Sequence, residues 1–440
     1  MVSGGIDRKV GEDSGIMKIF WFHSGLMPAA CEAMGYEKRN SCGWLESMLD
    51  ALLAADPTLE LCLLGFDWRS CDVQIGRVRH VSFEVGGKTW YKKIPSDIVK
   101  KAHRLIKEFN PDVIHVQGTE YFYGCFPQEV YCGKPVVVSI QGLLSGLHVA
   151  YTGGISSREL RGTNWNARFL LKGRTLYSEQ TSWREKRAKQ EQAVLRQQDN
   201  FIGRTEWDKS VIQYYNLRAK YFVVNENIRP QFFKARRDIE KVKRHSIYCS
   251  AAASCALKGA HWLIHAVASL KEEFPDIELR IAAADGLKPP KGLRGVLLDQ
   301  SYYVYLRKLV RRLGVEKNVV ALPSLSAEQV AEELKCAELF VLPSLGENSP
   351  NSLGEAMLVG TPAIATCVGG VPSILKDGVE GRLVPSSDPF ALAGAIRRWF
   401  LHPEEAEACV EPARATALKR HDAKANAEAT LAVYRELTGK

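Results

Sequence analysis

The sequence predicts an α/β protein made of two doubly wound domains, and three observations carry that prediction. Short apolar, partly β-branched runs alternate with helical patterns along most of the chain, as in parallel strands covered on both faces. A charged stretch, "KARRDIEKVKRH" at 234–245, breaks the alternation just past the midpoint. The 440 residues are long for one core and comfortable for two. A single large sheet is the alternative that the length and the break disfavour.

The elements follow in order. Residues 1–16 are polar, lack the apolar centre of a signal peptide, and read as a loose extension. "MKIFWFH" (Met17–His23) reads as a buried first strand, Trp44–Ala55 as a helix and Leu59–Leu64 as a second strand. "DVIHV" (Asp112–Val116) and "KPVVVSI" (Lys134–Ile140) are further strands, each leaving through a glycine-containing turn. Phe201–Phe233 is richer in aromatics and holds a helix capped near Thr205 or Asp208. Beyond the basic break, strands recur at Ser246–Ser250, Ile277–Ala284, Asn318–Leu322, Leu339–Pro343, Pro362–Thr366 and Gly381–Val384. Lys419–Leu437 reads as an Ala-rich amphipathic helix. The expected units are therefore the extension 1–16, a first domain with its inter-domain segment over 17–233, and a second domain over 234–415. A C-terminal helix within 416–440 is expected to cross back to the first domain.

Composition excludes some classes. Apolar residues make up 46% and charged residues 25%, an ordinary globular mix. The net charge of +9 attracts anions without choosing among ligands, nucleic acid and anionic membrane. No groove-reading motif accompanies it, so a nucleic-acid partner is not expected. Eleven cysteines form no CxxC pair and no metal-like cluster, which reads as free thiols in a reducing compartment. No run approaches the ~20 apolar residues needed to span a bilayer, so a cytoplasmic protein is expected. Arg161–Arg196 carries nine Lys/Arg against three Asp/Glu, with Trp165, Phe169, Leu170, Tyr177 and Trp183 interspersed. It reads either as a solvated helix face or as a segment lying on the inner face of an anionic plasma membrane.

The chemistry concentrates in "GENSPNSLGEAM" (Gly346–Met357). "LFVLP" before it is a strand, and ligands gather beyond the carboxyl ends of such strands. Pro350 opens a helix whose first amides, near Asn351 and Ser352, point outward and favour a phosphate or a sugar hydroxyl. Glu347 lies in the loop and Glu355 one turn into the helix. The pair could grip hydroxyls on both sides of a diphosphate, or be a loop charge and a solvated helix residue.

This run resembles the paired-glutamate motif of retaining GT-B glycosyltransferases, and more narrowly of glycosyltransferase family 4 (group 1), in its bacterial subset. The flanks agree: "AELFVLPS" precedes it, and "EAMLVGTPAIATCVGGVPSILKDGVEGRLVPSSDP" follows with the Gly369–Gly370 turn and the "DGVEG" hairpin. The resemblance is dense from about Lys335 to Asp388, recognisable over Ser246–Phe400 and thinner before that.

The resemblance implies a GT-B fold, two Rossmann-like domains facing across a cleft. It also implies metal-independent transfer of a sugar, with retention, from a nucleoside-diphosphate sugar that is substrate rather than cofactor. Glu347 would contact the donor sugar, Glu355 the ribose, and the segment Asn348, Ser349, Pro350, Asn351 and Ser352, through its backbone amides, the sugar and distal phosphate. The family commonly has glycine and an aromatic just after the first glutamate, where this chain has Asn348, Ser349 and Pro350. Lys258 and Gly259, in "CALKGAHWLIHA", match the pair whose lysine neutralises the donor diphosphate, though alone Lys258 could be a solvated lysine at a helix start. The arginine that the family often carries a few residues earlier is absent from Ala251–Ala256. Gln141 stands where the family usually has a histidine at the reacting centre; His148 is close by, and His115 is expected to be structural. Gly118, Glu120, Arg204 and Glu206 are expected on the acceptor or cleft side, although Arg204 could simply pair with Glu206 or Asp208. The acceptor is expected to be a saccharide, lipid-linked or free, in surface polysaccharide synthesis. The alternatives are a GT-B-like epimerase and a nucleotide-sugar-binding protein without turnover.

Overall fold

Alternate residues of each strand face opposite layers, and this sets the architecture. In the first strand Ile19 and Trp21 enter one apolar layer, and Phe20 and Phe22 enter the other. Every one of them is fully buried, so helices must cover both faces of the sheet. The computed structural model describes residues 16–37, 43–85, 95–156, 158–159, 186–250, 253, 255–290, 292 and 301–440. The expected extension, apart from Ile16, and the basic stretch 161–185 lie outside the described residues.

The first sheet has eight strands, β1 (Lys18–Ser24), β2 (Glu60–Asp67), β3 (Cys71–Ile75), β4 (Val78–Glu84), β5 (Val113–Gln117), β6 (Val136–Ser139), β7 (Asn200–Gly203) and β8 (Lys220–Val223). Their spatial order is β3-β4-β2-β1-β5-β6-β7-β8. All pairs are parallel except β3 with β4, whose register pairs Cys71 with Ser82 and Ile75 with Val78. This hairpin escapes an apolar-run reading because β3 is an edge strand, with its second and fourth residues, Asp72 and Gln74, not buried.

The second sheet has six parallel strands, β9 (Lys243–Cys249), β10 (Glu278–Ile281), β11 (Val319–Ala321), β12 (Ala337–Leu342), β13 (Ala363–Thr366) and β14 (Arg382–Val384). Their order is β11-β10-β9-β12-β13-β14. Ile247 and Leu339 point into one layer, Tyr248 and Phe340 into the other.

The single helix expected over Lys419–Leu437 is in fact two, Val410–Arg420 and Ala423–Thr438. Asp422 causes the break: its carboxylate accepts the Ala425 N–H at 2.8 Å and caps the second helix. That helix lies on the first domain, where Ala427, Leu431, Val433 and Tyr434 share a layer with Leu45, Leu49 and Leu52 of the helix Gly43–Ala55. The Tyr434 hydroxyl receives the Trp21 Nε1–H at 3.0 Å and donates to His115 Nδ1 at 2.6 Å. His115 Nε2–H in turn donates to the Ser139 hydroxyl at 2.6 Å, so this buried histidine belongs to the frame. Among the described residues the chain passes from one sheet to the other after β8 and returns near Asp422.

Two predictions follow from this interior. Tyr434→Phe leaves the Trp21 N–H without its acceptor and His115 Nδ1 with only the longer Gln117 amide contact at 3.2 Å. It should cost about 2 kcal/mol of unfolding free energy in urea titration. Burial lowers the pKa of His23, His80, His261 and His421 to about 4, and that of His115 to about 3, from 6.5. The fold holds these rings neutral, whereas the unfolded chain takes up protons below 6.5. Their contribution is therefore complete above pH 6.5 and is lost as pH falls toward 4. The slope is about 1.4 kcal/mol per pH unit per ring, so Tm should drop steeply between pH 6.5 and 4.

Candidate active site at the domain interface

Strands buried on both faces offer functional groups one exit, the loops at their carboxyl ends. From β12 the chain runs through Pro343–Pro350 into the helix Asn351–Val359. Pro350 is the N-cap, where its missing N–H costs nothing. The Leu353 N–H turns back to the Pro350 carbonyl at 3.1 Å, whereas the amides of Asn351 and Ser352 have no acceptor within the helix, and the helix dipole favours an anion in front of them. Asn351 Oδ1, in the same turn, is buried and has no hydrogen-bond partner.

The loop leaving β9 ends in a 3-10 turn, Ala256–Lys258, followed by Gly259 with φ +75° and the helix Ala260–Leu270. A Cβ at Gly259 would lie 1.9 Å from the Pro343 carbonyl oxygen, so only glycine lets the two loops pack backbone to backbone. The Leu345 N–H donates to the Leu257 carbonyl at 2.8 Å and fixes their register. This brings Lys258 Nζ to 2.6 Å from Glu347 Oε1, which also accepts the Ser344 hydroxyl at 2.7 Å. Burial pulls the Lys258 pKa down, but the Glu347 carboxylate more than offsets it and holds the amine as an ammonium ion.

Glu355 is buried in the helix, where burial raises its pKa against the opposing effect of Arg229. Arg229 Nη2 donates to its Oε1 at 3.0 Å. Neither glutamate is therefore a solvated surface charge. Arg229 also stands on the wall of a cavity of about 1000 Å³ at the hinge, shared with Glu46, Asp50, Lys234 and Lys424.

The first domain meets the motif loop directly. Asn348 Nδ2–H donates to the Gln141 carbonyl at 3.0 Å, and the Thr205 hydroxyl donates to Asn348 Oδ1 at 2.9 Å. Arg420 Nη2 bridges the Arg204 carbonyl at 3.1 Å and Ser349 Oγ at 3.4 Å, with burial and then Arg204 pushing its pKa down to about 10. Gln141, Asn348, Ser349 and Arg204 thus come together.

Arg204 pairs with neither Glu206 nor the Asp208 carboxylate. Its guanidinium is buried against Glu226 at 2.8 Å and donates to the Ile140 carbonyl. Asp208 instead accepts the backbone N–H groups of Arg204 and Thr205, closing a capping box on the helix Glu206–Tyr215. Glu206, expected in the cleft, points its carboxylate to solvent near Lys209, because the cap places that first-turn position outward. Only its backbone N–H reaches the second domain, at Ser373 Oγ, 3.1 Å away.

Gly118, with φ +101°, leads from β5 to Glu120, whose Oε2 is buried without a partner. Burial pushes the Glu120 pKa up to about 7. Beside it Glu191 accepts the Thr119 hydroxyl at 2.7 Å and the Ser145 N–H at 2.6 Å. This glutamate closes the basic region read as a surface segment, yet it is wholly buried. Among the described residues no group of three or more His, Cys, Asp or Glu is placed to hold a metal, and no helix is long and apolar enough to cross a membrane. Arg229, Glu226, Thr205, Ser344 and Arg420 belong to the constellation and escaped the sequence reading. All but Ser344, which bonds Glu347 three residues on in the same loop, are recruited by tertiary contact rather than by a spacing within their own segment.

Two Rossmann-like domains meeting at the carboxyl ends of their strands define the GT-B fold. Sucrose-phosphate synthase from Thermosynechococcus elongatus shares it with a TM-score of 0.69, at 16% identity over 96% of this chain and 99% of that one. Anabaena HepE, solved with UDP and glucose, aligns with a TM-score of 0.60 at 16% identity over 96% and 100%. Residues 231–416, most of the second domain, match the family "Glycosyl transferases group 1". D-inositol 3-phosphate glycosyltransferase of Streptomyces coelicolor is 34% identical over 155 residues, which are 34% of this chain and 31% of that protein. The MMP alpha-(1->4)-mannosyltransferase of Mycolicibacterium hassiacum is 32% identical over 192 residues, 43% of each chain. The chain thus matches about a third to under half the length of these relatives.

Arg204→Met strands the buried Glu226 carboxylate and should cost about 3–5 kcal/mol. Adding Glu226→Leu should recover most of that loss in the same denaturation experiment.

Proposed function

We propose that the protein is a glycosyltransferase that moves a sugar, with retention, from a nucleoside-diphosphate sugar to a saccharide acceptor. The observation that carries this reading is the ammonium of Lys258 seated on Glu347 beside a helix N-terminus, inside the family-matched region. As the glycosidic bond breaks, negative charge develops on the leaving diphosphate. Lys258 and the amides of Asn351 and Ser352 are the cationic and dipolar groups able to stabilise it. Donor arrival would exchange the Lys258–Glu347 bond for a lysine–phosphate and a glutamate–sugar contact, so neither partner is left unpaired.

In this reading Glu347 and Glu355 are not a hydrolytic acid–base pair: each is engaged by a cation, Lys258 and Arg229, and takes a binding role. In this reading the donor phosphate oxygen takes the acceptor's proton on the face the leaving group vacates. The protein contributes orientation and charge. Gln141 lies at the reacting end, while Gly118, Glu120 and the Arg204 region form the acceptor side. A lipid-linked acceptor, a cytoplasmic place of work at the inner membrane face and a part in surface polysaccharide synthesis complete the proposal. The relatives' names support sugar transfer, and the HepE structures with UDP and with UDP-glucose make these the first nucleotide and donor to try.

The test is a thermal-shift screen with UDP, GDP, ADP, CMP and their sugar conjugates, with and without EDTA. One nucleotide should stabilise the protein by about 2.7 kcal/mol at a hundredfold excess over Kd. EDTA should leave that gain unchanged, and Lys258→Ala should abolish it. No shift with any of them would sink the reading.

A further inference from the structure

The turn that presents Lys258 is supported from behind by the other domain. Tyr151 and Ile155 follow β6 of the first domain, yet their side chains are buried in the second domain's core with Ala256, Ala260 and Tyr302. Between them the Gly153 carbonyl accepts two N–H groups from the helix Ala260–Leu270, His261 Nε2–H at 2.8 Å and Trp262 Nε1–H at 3.0 Å. Because Nε2 must donate to that carbonyl, Nδ1 is the acceptor, and it takes the Tyr302 hydroxyl at 2.8 Å. Gly153 has φ +69°, and a Cβ there would lie 2.7 Å from the Ala256 carbonyl oxygen and 2.7 Å from His261 Cε1. Its backbone therefore presses on the Ala256–Lys258 turn itself. Further along, Glu159 reaches Arg312 of the second domain at 3.4 Å. At the near end Leu147 packs on Gly346, the residue before Glu347.

We propose that Tyr151–Ser156, with Glu159, is a clasp through which the first domain sets the position of the Lys258 turn, with Gly153, His261 and Trp262 as its positioning residues. Resting on the reading of Lys258 as the diphosphate-binding group, this makes the donor site complete only when the domains are clasped. The turn is held in front by Pro343 and Leu345 and behind by Gly153. Withdrawing the clasp removes one wall and lets Lys258 leave Glu347.

A ligand-free experiment tests this first. The full chain is treated with an acetylating reagent, and modification of Lys258 is followed by mass spectrometry in the wild type, His261→Leu, His261→Gln and Trp262→Phe. Glutamine keeps an N–H for Gly153 and a carbonyl for Tyr302. Acetylation of Lys258 should rise severalfold in His261→Leu, less in Trp262→Phe, and return close to wild type in His261→Gln. Hydrogen exchange of the amides 151–156 reports the clasp itself, should His261→Leu fold poorly. Calorimetry with UDP against uridine then asks what moves. His261→Leu should weaken UDP roughly tenfold, the worth of one charge-assisted contact, and leave uridine within twofold. Faster exchange at 151–156 with unchanged Lys258 acetylation would overturn the proposal, and so would equal weakening of UDP and uridine. Failure of the wild type to bind UDP would count against the donor reading alone, because the acetylation result stands without a nucleotide.

Discussion

Parallel strands buried on both faces are the constraint on which the rest of the molecule depends. Ile19 and Trp21 against Phe20 and Phe22, or Ile247 against Tyr248, leave neither face of either sheet for a ligand. Polar chemistry is pushed to the carboxyl ends of the strands, and two such ends brought together make one cleft. Lys258 leaves β9, Glu347 leaves β12, Gln141 leaves β6, and Glu120 leaves β5.

Several of the polar groups that enter the interior are tied to a second element. Tyr434 joins Trp21 to His115 and Ser139, and Arg204 joins Glu226 to the β6 end. Each bond satisfies a group that would otherwise be costly to bury. Each also fixes a piece of chain that the apolar layers alone would leave free to slide. Asn348 works in the same way at the interface, with its amide oxygen on one first-domain loop and its amide nitrogen on another. The loop proposed to bind the donor is thereby a structural contact between the domains.

The two-domain fold and the motif were legible because both rest on local pattern. Buried strands such as "LFVLP" read as apolar runs, and the two glutamates eight positions apart stand in one segment. The edge hairpin of β3 and β4 was not legible, since its exposed alternate residues dilute the apolar signal. Arg204 was expected on the cleft side, with pairing to neighbours two or four residues away as the alternative, whereas its partner Glu226 lies 22 positions on, on the far side of β8. Glu206 was placed in the cleft because of its neighbours, but a capping box turns it outward, a direction that spacing alone does not carry. "AYTGGISS" has no periodicity, and its role in the other domain's core comes from a carbonyl, two glycines and two apolar side chains.

The double crossing of the chain has a consequence for how the cleft can work. One covalent connection would let the second domain swivel like a ball on a string. The two connections among the described residues, after β8 and at Asp422, remove the twist and favour one bending axis, like a door hung on two pins. Motion about that axis changes the gap between the facing loops while preserving which residues face one another. Closure would then return the same pairs to register on every cycle, with no search over rotations.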